Sequence, residues 1–106
     1  MITAFIQFKL PAGTTRDAIL QAFRTSVEQL RGQPGLIRKH YLYNEADGIA
    51  AGAYLWESRA AADALYTAEW RKMIVARYGS EPVITWFDTP FVLDNTTGEV
   101  IGEAAE

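Results

Sequence analysis

One histidine and a set of aromatic side chains with polar tips are the residues best suited to do chemistry in this chain of 106 residues. His40 is the only histidine, and because an unperturbed imidazole titrates at about pH 6.5, it is a candidate general acid or base. The aromatic candidates, which would line an apolar pocket for a flat organic molecule, are Tyr54, Trp56, Tyr66, Trp70 and Trp86. The competing interpretations are an exposed or interfacial His40, and aromatic residues that only pack in the core.

The composition excludes several other kinds of site. The chain has no cysteine, which removes disulfides, thiolate nucleophiles, iron–sulfur clusters and cysteine zinc sites. With a single histidine, a multi-histidine metal site would need more than one subunit. The eight glycines form neither a dinucleotide-binding nor a phosphate-binding fingerprint. We therefore expect neither a metal nor a cofactor.

Charge and hydropathy bear on the partners and the location of the protein. The net charge is −3 and no dense basic stripe is present, so nucleic acid is not an expected partner. The basic cluster Arg38-Lys39-His40 is predicted to be a solvated face. No run approaches the ~18 apolar residues of a membrane span, and the N-terminus has no secretory leader pattern. We expect no membrane association and a cytoplasmic location.

Four segments rich in strand-forming residues must carry most of these side chains: 2–10, 36–43, 50–57 and 82–88. The middle two segments are joined by a turn that contains Asp47-Gly48, a pair typical of hairpins. The last segment is followed by Pro90, which cannot donate to a strand ladder. This strand either ends at residue 88 or runs on to residue 93, and it is expected to lie at a sheet edge or to contain a bulge.

Two helical regions lie between the strands. The first is predicted to begin after Thr14 or Thr15 and to end near Gly32. Its apolar residues recur at helical spacing on a single stripe, which consists of Ile19, Leu20, Phe23, Val27 and Leu30. The second region begins after Ser58 and ends near Gly79, and Thr67 marks either a kink or a break within it.

The order of elements predicts an α+β fold. Strand, helix, strand, strand, helix, strand is the ferredoxin-like βαββαβ arrangement. Right-handed crossovers then place both helices on one face of an antiparallel four-stranded sheet. We expect this domain to occupy residues 1–93, followed by an acidic and mobile tail at residues 94–106.

The predicted strands are apolar on both faces, which suggests a second partner for the sheet. Residues 50–57, for example, would present two alternating sets of side chains to the two faces. One set is Ala51, Ala53 and Leu55, and neither this set nor the other is polar. Helices would cover one face only, and an apolar face left open exceeds what monomers usually expose. The sequence therefore predicts a homodimer through the helix-free sheet face. The alternative is that the tail folds back over this face.

Two motifs resemble a known family. Residues 36–42, Leu-Ile-Arg-Lys-His-Tyr-Leu after Pro34-Gly35, resemble the second-strand signature of the YdhR-like monooxygenases. Residues 52–58, Gly-Ala-Tyr-Leu-Trp-Glu-Ser before an alanine-rich helix, resemble the third strand of that family, and Trp86-Phe87-Asp88 resembles its short last strand. The resemblance extends over residues 1 to about 93. It implies a dimeric α+β barrel, in which two ferredoxin-like sheets pack face to face.

The resemblance also implies a class of reaction. It relates the chain to small oxygenases that use neither metal nor flavin, in which a phenol or hydroquinone is deprotonated and its anion reduces oxygen. The first hypothesis is thus a cofactor-independent monooxygenase acting on a quinol or polycyclic phenol, with His40 as the proton-transfer residue. The second is a non-catalytic module that binds a small aromatic molecule or serves in a stress response. The third is a haem-binding protein with His40 as ligand.

Overall fold

The computed structural model describes residues 1–102 and contains nine regular elements. In chain order they are β1 (Ile2–Lys9), α1 (Arg16–Leu30), β2 (Leu36–Asn44), β3 (Ile49–Trp56), α2 (Arg59–Leu65), α3 (Ala68–Tyr78), β4 (Val83–Asp88), β5 (Phe91–Asp94) and β6 (Glu99–Gly102). The longest of the described helices, α1, has 15 residues, and no helix within residues 1–102 combines the length and hydrophobicity of a membrane span.

The first four strands form one antiparallel sheet with the spatial order β2-β3-β1-β4. This order confirms the ferredoxin-like topology predicted from the sequence. It also places β4 at an edge, where Pro90 interrupts no ladder. The pairing of β2 with β3 contains a register shift between Leu36 and Arg38, after which His40 lies opposite Ala53. This irregularity decides which β2 side chains point towards the helices.

The second helical region is two helices rather than one, so the fold has three described helices where the sequence predicted two. α2 ends at Leu65, and Thr67 adopts an extended backbone conformation before α3 begins. The Thr67 hydroxyl accepts a hydrogen bond from the backbone N–H of Trp70 at 3.2 Å. An N-cap satisfies a free helix N–H and therefore favours a new helix over a kink. Thr15 caps α1 in the same way.

The three helices pack on one face of the sheet. β1 buries Ala4, Ile6 and Phe8, and these alternate with residues that are less buried. They share one core with residues of all three helices, namely Ile19, Phe23, Ala62, Trp70, Ile74 and Tyr78. The other face, which we call the helix-free face, consists of Thr3, Phe5, Gln7, Arg38, His40, Leu42, Ala51, Ala53, Leu55, Val83, Thr85 and Phe87.

The chain after β4 forms a hairpin that the sequence analysis did not predict. Residues of β5 pair antiparallel with those of β6, so that Leu93 lies opposite Val100 and Asp94 opposite Glu99. The boundary expected after residue 93 therefore falls inside β5. The hairpin is attached to the sheet by an ion pair of 3.4 Å between Arg38 and Asp94. The expectation of a mobile tail, in so far as it concerns residues 103–106, lies outside the described residues.

Candidate functional site

A cavity of about 250 Å³ lies between the helices and the sheet. Its walls are mainly apolar and aromatic, with Phe8 and Tyr54 from the sheet and Phe23, Trp70 and Tyr78 from the helices. Polar side chains from α1 and α3 also line it, and the most exposed of them mark its opening to solvent. An apolar cleft with a few convergent polar groups is the usual form of a small-molecule site.

Lys39 places an amine inside this cavity. It lies on β2 opposite Tyr54 of β3, and its Nζ is 3.9 Å from the ring centroid of Tyr41 and 4.3 Å from that of Tyr54. These distances are well within the range of cation–π contacts. The amine also donates a hydrogen bond of 3.3 Å to the hydroxyl of Ser26. Gly52 leaves room for the lysine stem, since a Cβ there would lie 2.9 Å from Lys39 Cε.

The surroundings of Lys39 make its amine a weaker base than usual. Burial in the cavity, and secondarily the positive charge of Arg77, lower the pKa of Lys39 from 10.5 to about 7. Burial acts in this direction because it disfavours the charged ammonium. At neutral pH the amine is therefore present in comparable amounts with and without its proton, which is the property of a group that exchanges protons during catalysis.

The tyrosines of the cavity remain neutral. Burial raises the pKa of Tyr54 well above its ordinary value, and the neighbouring tyrosines add to this effect. Burial likewise raises the pKa of Tyr41 and of Tyr78. Ser26, the buried polar residue of α1, shares a hydrogen bond of 3.0 Å with the Tyr41 hydroxyl. The tyrosine hydroxyls therefore keep their protons at neutral pH and are suited to hydrogen bonding rather than to acting as bases.

The five aromatic residues singled out from the sequence come together, although only Tyr54 and Trp70 line the cavity. Tyr66 is the centre of the group. Its ring lies 4.7–5.8 Å from the ring centroids of the four others, distances typical of aromatic pairs. The hydroxyl of Tyr66 accepts a hydrogen bond of 3.0 Å from the indole N–H of Trp56, which is fully buried. Trp56, Tyr66 and Trp86 therefore form a rigid layer next to the cavity wall.

His40 does not belong to this site. It is exposed on the helix-free face, opposite Ala53, whereas the preceding residue Lys39 points towards the helices. Neighbouring residues of a strand point to opposite faces, so one strand cannot bring both side chains into the cavity. A haem bound to His40 would therefore lie on the helix-free face, outside the aromatic cavity. Within residues 1–102, no group of three or more histidine or carboxylate side chains is placed to hold a metal ion.

Lys39 is the residue that the sequence analysis missed. The cluster Arg38-Lys39-His40 was predicted to be a solvated face, which is wrong for Lys39, because its amine lies in the cavity. A usable signal exists in the alternation of β2. Lys39 shares its parity with Tyr41 and Tyr43, and these tyrosines are amphipathic residues that pack against the core.

Solved structures share this fold. A structure titled "Crystal structure of antibiotic biosynthesis monooxygenase" superimposes with a TM-score of 0.65 at 21% sequence identity, covering 84% of this chain and 98% of that chain. SnoaB, described as a cofactor-independent oxygenase from Streptomyces nogalater, superimposes with a TM-score of 0.64 at 18% identity, covering 87% of this chain and 95% of that chain. At such identities the likeness establishes the fold alone.

Sequence comparison identifies the family. A search of curated proteins found no match. A family described as "Putative mono-oxygenase ydhR", however, matches residues 4–87, which contain all four strands of the main sheet except the ends of β1 and β4, together with Lys39 and the aromatic cluster. The match confirms the resemblance noted in the strand motifs. On this basis the chain belongs to the ydhR mono-oxygenase family.

Proposed function

We propose that this protein is a cofactor-independent monooxygenase that oxidises an electron-rich aromatic, a quinol or polycyclic phenol, in the cavity beneath the helices. The observation that carries the proposal is an amine with a pKa of about 7, that of Lys39, inside an aromatic-lined cavity. Membership of a mono-oxygenase family supports the reaction class. The fold shared with SnoaB, a cofactor-independent oxygenase, supports the absence of a cofactor.

In this proposal Lys39 is the proton acceptor. A general base works best when its pKa lies near the working pH, as the pKa of Lys39 does. Its neutral amine takes the proton of a phenol or hydroquinone, and the resulting ammonium then lies beside the aromatic anion. Because the amine is largely buried, this ion pair is stronger than it would be in solution. Tyr54 and Trp70 supply flat walls for the substrate ring.

The substrate anion then supplies the electrons that oxygen needs. In a phenol or quinol whose ring carbon para to the oxygen carries a hydrogen, the anion transfers one electron to O₂, and the two radicals combine at that carbon to give a peroxide, which takes its proton from Lys39. Loss of water breaks the O–O bond and the remaining C–H bond and leaves a ketone. For the keto tautomer of the phenol, the balance is CH₂ plus O₂ giving C=O plus H₂O. The substrate thus provides all four electrons, and no external reductant is required.

A non-catalytic binding module is the second candidate. It is favoured by the position of His40, because the imidazole expected to transfer protons lies outside the cavity. The same aromatic walls would hold a flat ligand without turnover. This candidate predicts saturable quenching of tryptophan fluorescence by hydroquinones and naphthols, without oxygen consumption or a new product.

Oxygen uptake with a panel of hydroquinones and anthrone-type phenols tests the proposal. With ¹⁸O₂ and an anthrone-type phenol, the ketone product should carry one labelled oxygen atom and the water the other. Lys39→Met keeps the length of the side chain and removes the base, and it should lower kcat by about 10²–10⁴, the usual contribution of a general base. His40→Gln on the opposite face of β2 is the matched control and should retain kcat within about twofold.

Three outcomes decide between the candidates. Loss of activity in Lys39→Met with activity retained in His40→Gln supports the proposal. The reverse result would establish His40 as the proton-transfer residue, as the sequence analysis predicted, and would refute the role of Lys39. Ligand binding without oxygen uptake on any substrate would favour the binding module.

We also propose that the protein is a homodimer through the helix-free face. Val83 and Phe87 on this face are 59% and 54% exposed, although both are large and apolar. The hairpin adds two more exposed apolar residues, Leu93 at 63% and its strand partner Val100 at 48%. Large apolar residues left exposed in this number are typical of an interaction site. For the part of this face that the hairpin leaves open, beyond the contact of Asp94 with Arg38, a second copy is the favoured partner, since the same face packed on itself about a two-fold axis covers both patches.

Sedimentation velocity tests the dimer. Wild type should sediment at twice the chain mass of 11.8 kDa at micromolar concentration. Phe87→Lys should shift the equilibrium to monomer, because it places a charge in an apolar interface. Arg71→Glu, an exposed charge change on α3, is the control and should leave the dimer intact. A monomeric wild type would refute the proposal.

A further inference from the structure

The charge of the cavity is one-sided. Two of the described residues that line it are cationic, Lys39 and Arg77, and none of them is an aspartate or glutamate. The ion pairs found within residues 1–102 engage other cations: Arg31 with Glu28, Arg38 with Asp94, and Arg59 with Asp63. The cavity therefore contains positive charge that no carboxylate of residues 1–102 neutralises at ion-pair distance. The two cations also oppose each other, because the charge of Arg77 contributes to lowering the pKa of Lys39.

Arg77 lies at the opening of the cavity. It is half-buried on α3, and its Nη2 donates a hydrogen bond of 3.0 Å to the side-chain oxygen of Gln29 on α1. Gln29 is exposed, so this contact spans the opening between the two helices. A guanidinium has five N–H donors in a planar fork and binds a carboxylate through two of them at once. Exchange of the neutral Gln29 oxygen for a carboxylate would keep the geometry and add charge pairing.

We propose that the cavity selects flat aromatic ligands that carry a carboxylate, with Arg77 binding the carboxylate at the opening and the ring packed against Tyr54 and Trp70. The claim that such a ligand is the substrate rests on the proposed function, whereas the claim that the cavity binds it does not. An anionic ligand relieves the repulsion between Arg77 and Lys39, whereas a neutral ligand of the same shape leaves both cations in a poorly solvated site. Charge complementarity of this kind provides specificity.

Calorimetric titration of the whole chain with naphthoate and its methyl ester measures this selectivity directly. The two probes share the ring, and only the acid carries a charge. Wild type should bind naphthoate at least about tenfold more tightly than the ester, as expected for one charge-assisted bidentate contact. Arg77→Gln should reduce the preference to less than about threefold while the affinity for the ester stays within about twofold. Arg77→Lys, which keeps the charge and loses the fork, should retain part of the preference.

Arg71→Gln provides the matched control. Arg71 is an exposed arginine on the same helix and does not line the cavity, so its loss should leave the tenfold preference intact. Equal affinity of wild type for the two probes would overturn the inference without any variant. If the preference survives Arg77→Gln, or if Arg71→Gln abolishes it equally, then it arises from the general surface charge of the protein. Either result would also overturn the inference.

The test separates this inference from the proposed oxygenase. A preference for naphthoate that depends on Arg77 supports the inference even if no substrate consumes oxygen. Conversely, oxygen uptake with neutral hydroquinones and no preference for the acid would overturn the inference and leave the oxygenase proposal standing.

Discussion

Replacing Lys39 with methionine should make the protein more stable at neutral pH, which is an unusual effect for a cavity-lining substitution. The reason is that folding transfers the lysine ammonium from water into the aromatic cavity, where burial lowers its pKa from 10.5 to about 7. Below pH 7 the folded protein must hold the buried charge, and near pH 7 it must begin to release a proton that the unfolded chain retains. Methionine fills similar space and has no charge to desolvate.

The direction of the pH effect follows from proton binding. Between pH 7 and 10.5 the unfolded chain binds more protons at Lys39 than the folded protein, so the free energy of unfolding rises with pH across this window. The two pKa values differ by 10.5 minus 7, or 3.5, and at about 1.4 kcal/mol per unit the full effect is on the order of 5 kcal/mol. Because the amine is partly exposed, solvent screening reduces this to about 2 kcal/mol.

Urea unfolding at pH 7, 8 and 9, at one protein concentration, provides the measurement. Lys39→Met should be more stable than wild type by about 2 kcal/mol at pH 7, and the difference should shrink by about 1 kcal/mol towards pH 9. Lys72→Met, on the exposed side of α3, is the control for loss of a lysine charge. Its difference from wild type should stay constant over this range.

Two results would refute the reasoning about Lys39. The first is a Lys39→Met protein that is less stable than wild type at pH 7, which would mean that the cation–π and Ser26 contacts outweigh the desolvation of the amine. The second is a difference from wild type that does not depend on pH, which would mean that the pKa of the folded protein is close to 10.5. Either result would also remove the physical basis for Lys39 as a proton acceptor.

The remaining predictions concern the packing around the site. Gly52→Ala should lower oxygen uptake towards the level of Lys39→Met, because the new methyl group would displace the lysine stem, and circular dichroism should show an unchanged fold. Tyr66→Phe removes the hydrogen bond from the Trp56 indole and should cost about 1–2 kcal/mol in urea unfolding. Thr67→Ala removes the cap of α3 and should cost about 1 kcal/mol by the same measurement.

The fold could be predicted from the sequence because its signals are local and long enough to read. The α1 stripe runs over about three turns, and the hairpin turn with Asp47-Gly48 fixes the order of β2 and β3. The β5–β6 hairpin was missed for the opposite reason. Its strands have four residues each, too few for alternation to be distinguished from irregular chain. The polar turn that ends at Gly98 was the available signal, and that glycine has a positive φ of 74°.

The aromatic cluster could be predicted by residue type but not by role. Large side chains with one polar atom pack together wherever the fold gathers them, and Tyr66 shows this by contacting four other rings. Which of these rings face empty space depends on the spacing between helices and sheet. Sequence pattern carries no information about that distance. Only the structure therefore shows that Trp70 lies in the cavity wall and Trp56 in the core.

A single irregularity in β2 determines which titratable residue reaches the cavity. Leu36 pairs with Trp56, and both lie on the helix side. With regular alternation, His40 would share that side with Leu36, because it follows at an even separation. The register shift between Leu36 and Arg38 reverses the assignment, so that Lys39 faces the helices and His40 faces outward. A shift of one residue moves every later side chain of a strand to the other face, whereas the sequence analysis selects His40 for its titratable imidazole and not for its place in the alternation, so it does not anticipate which face of β2 that residue occupies.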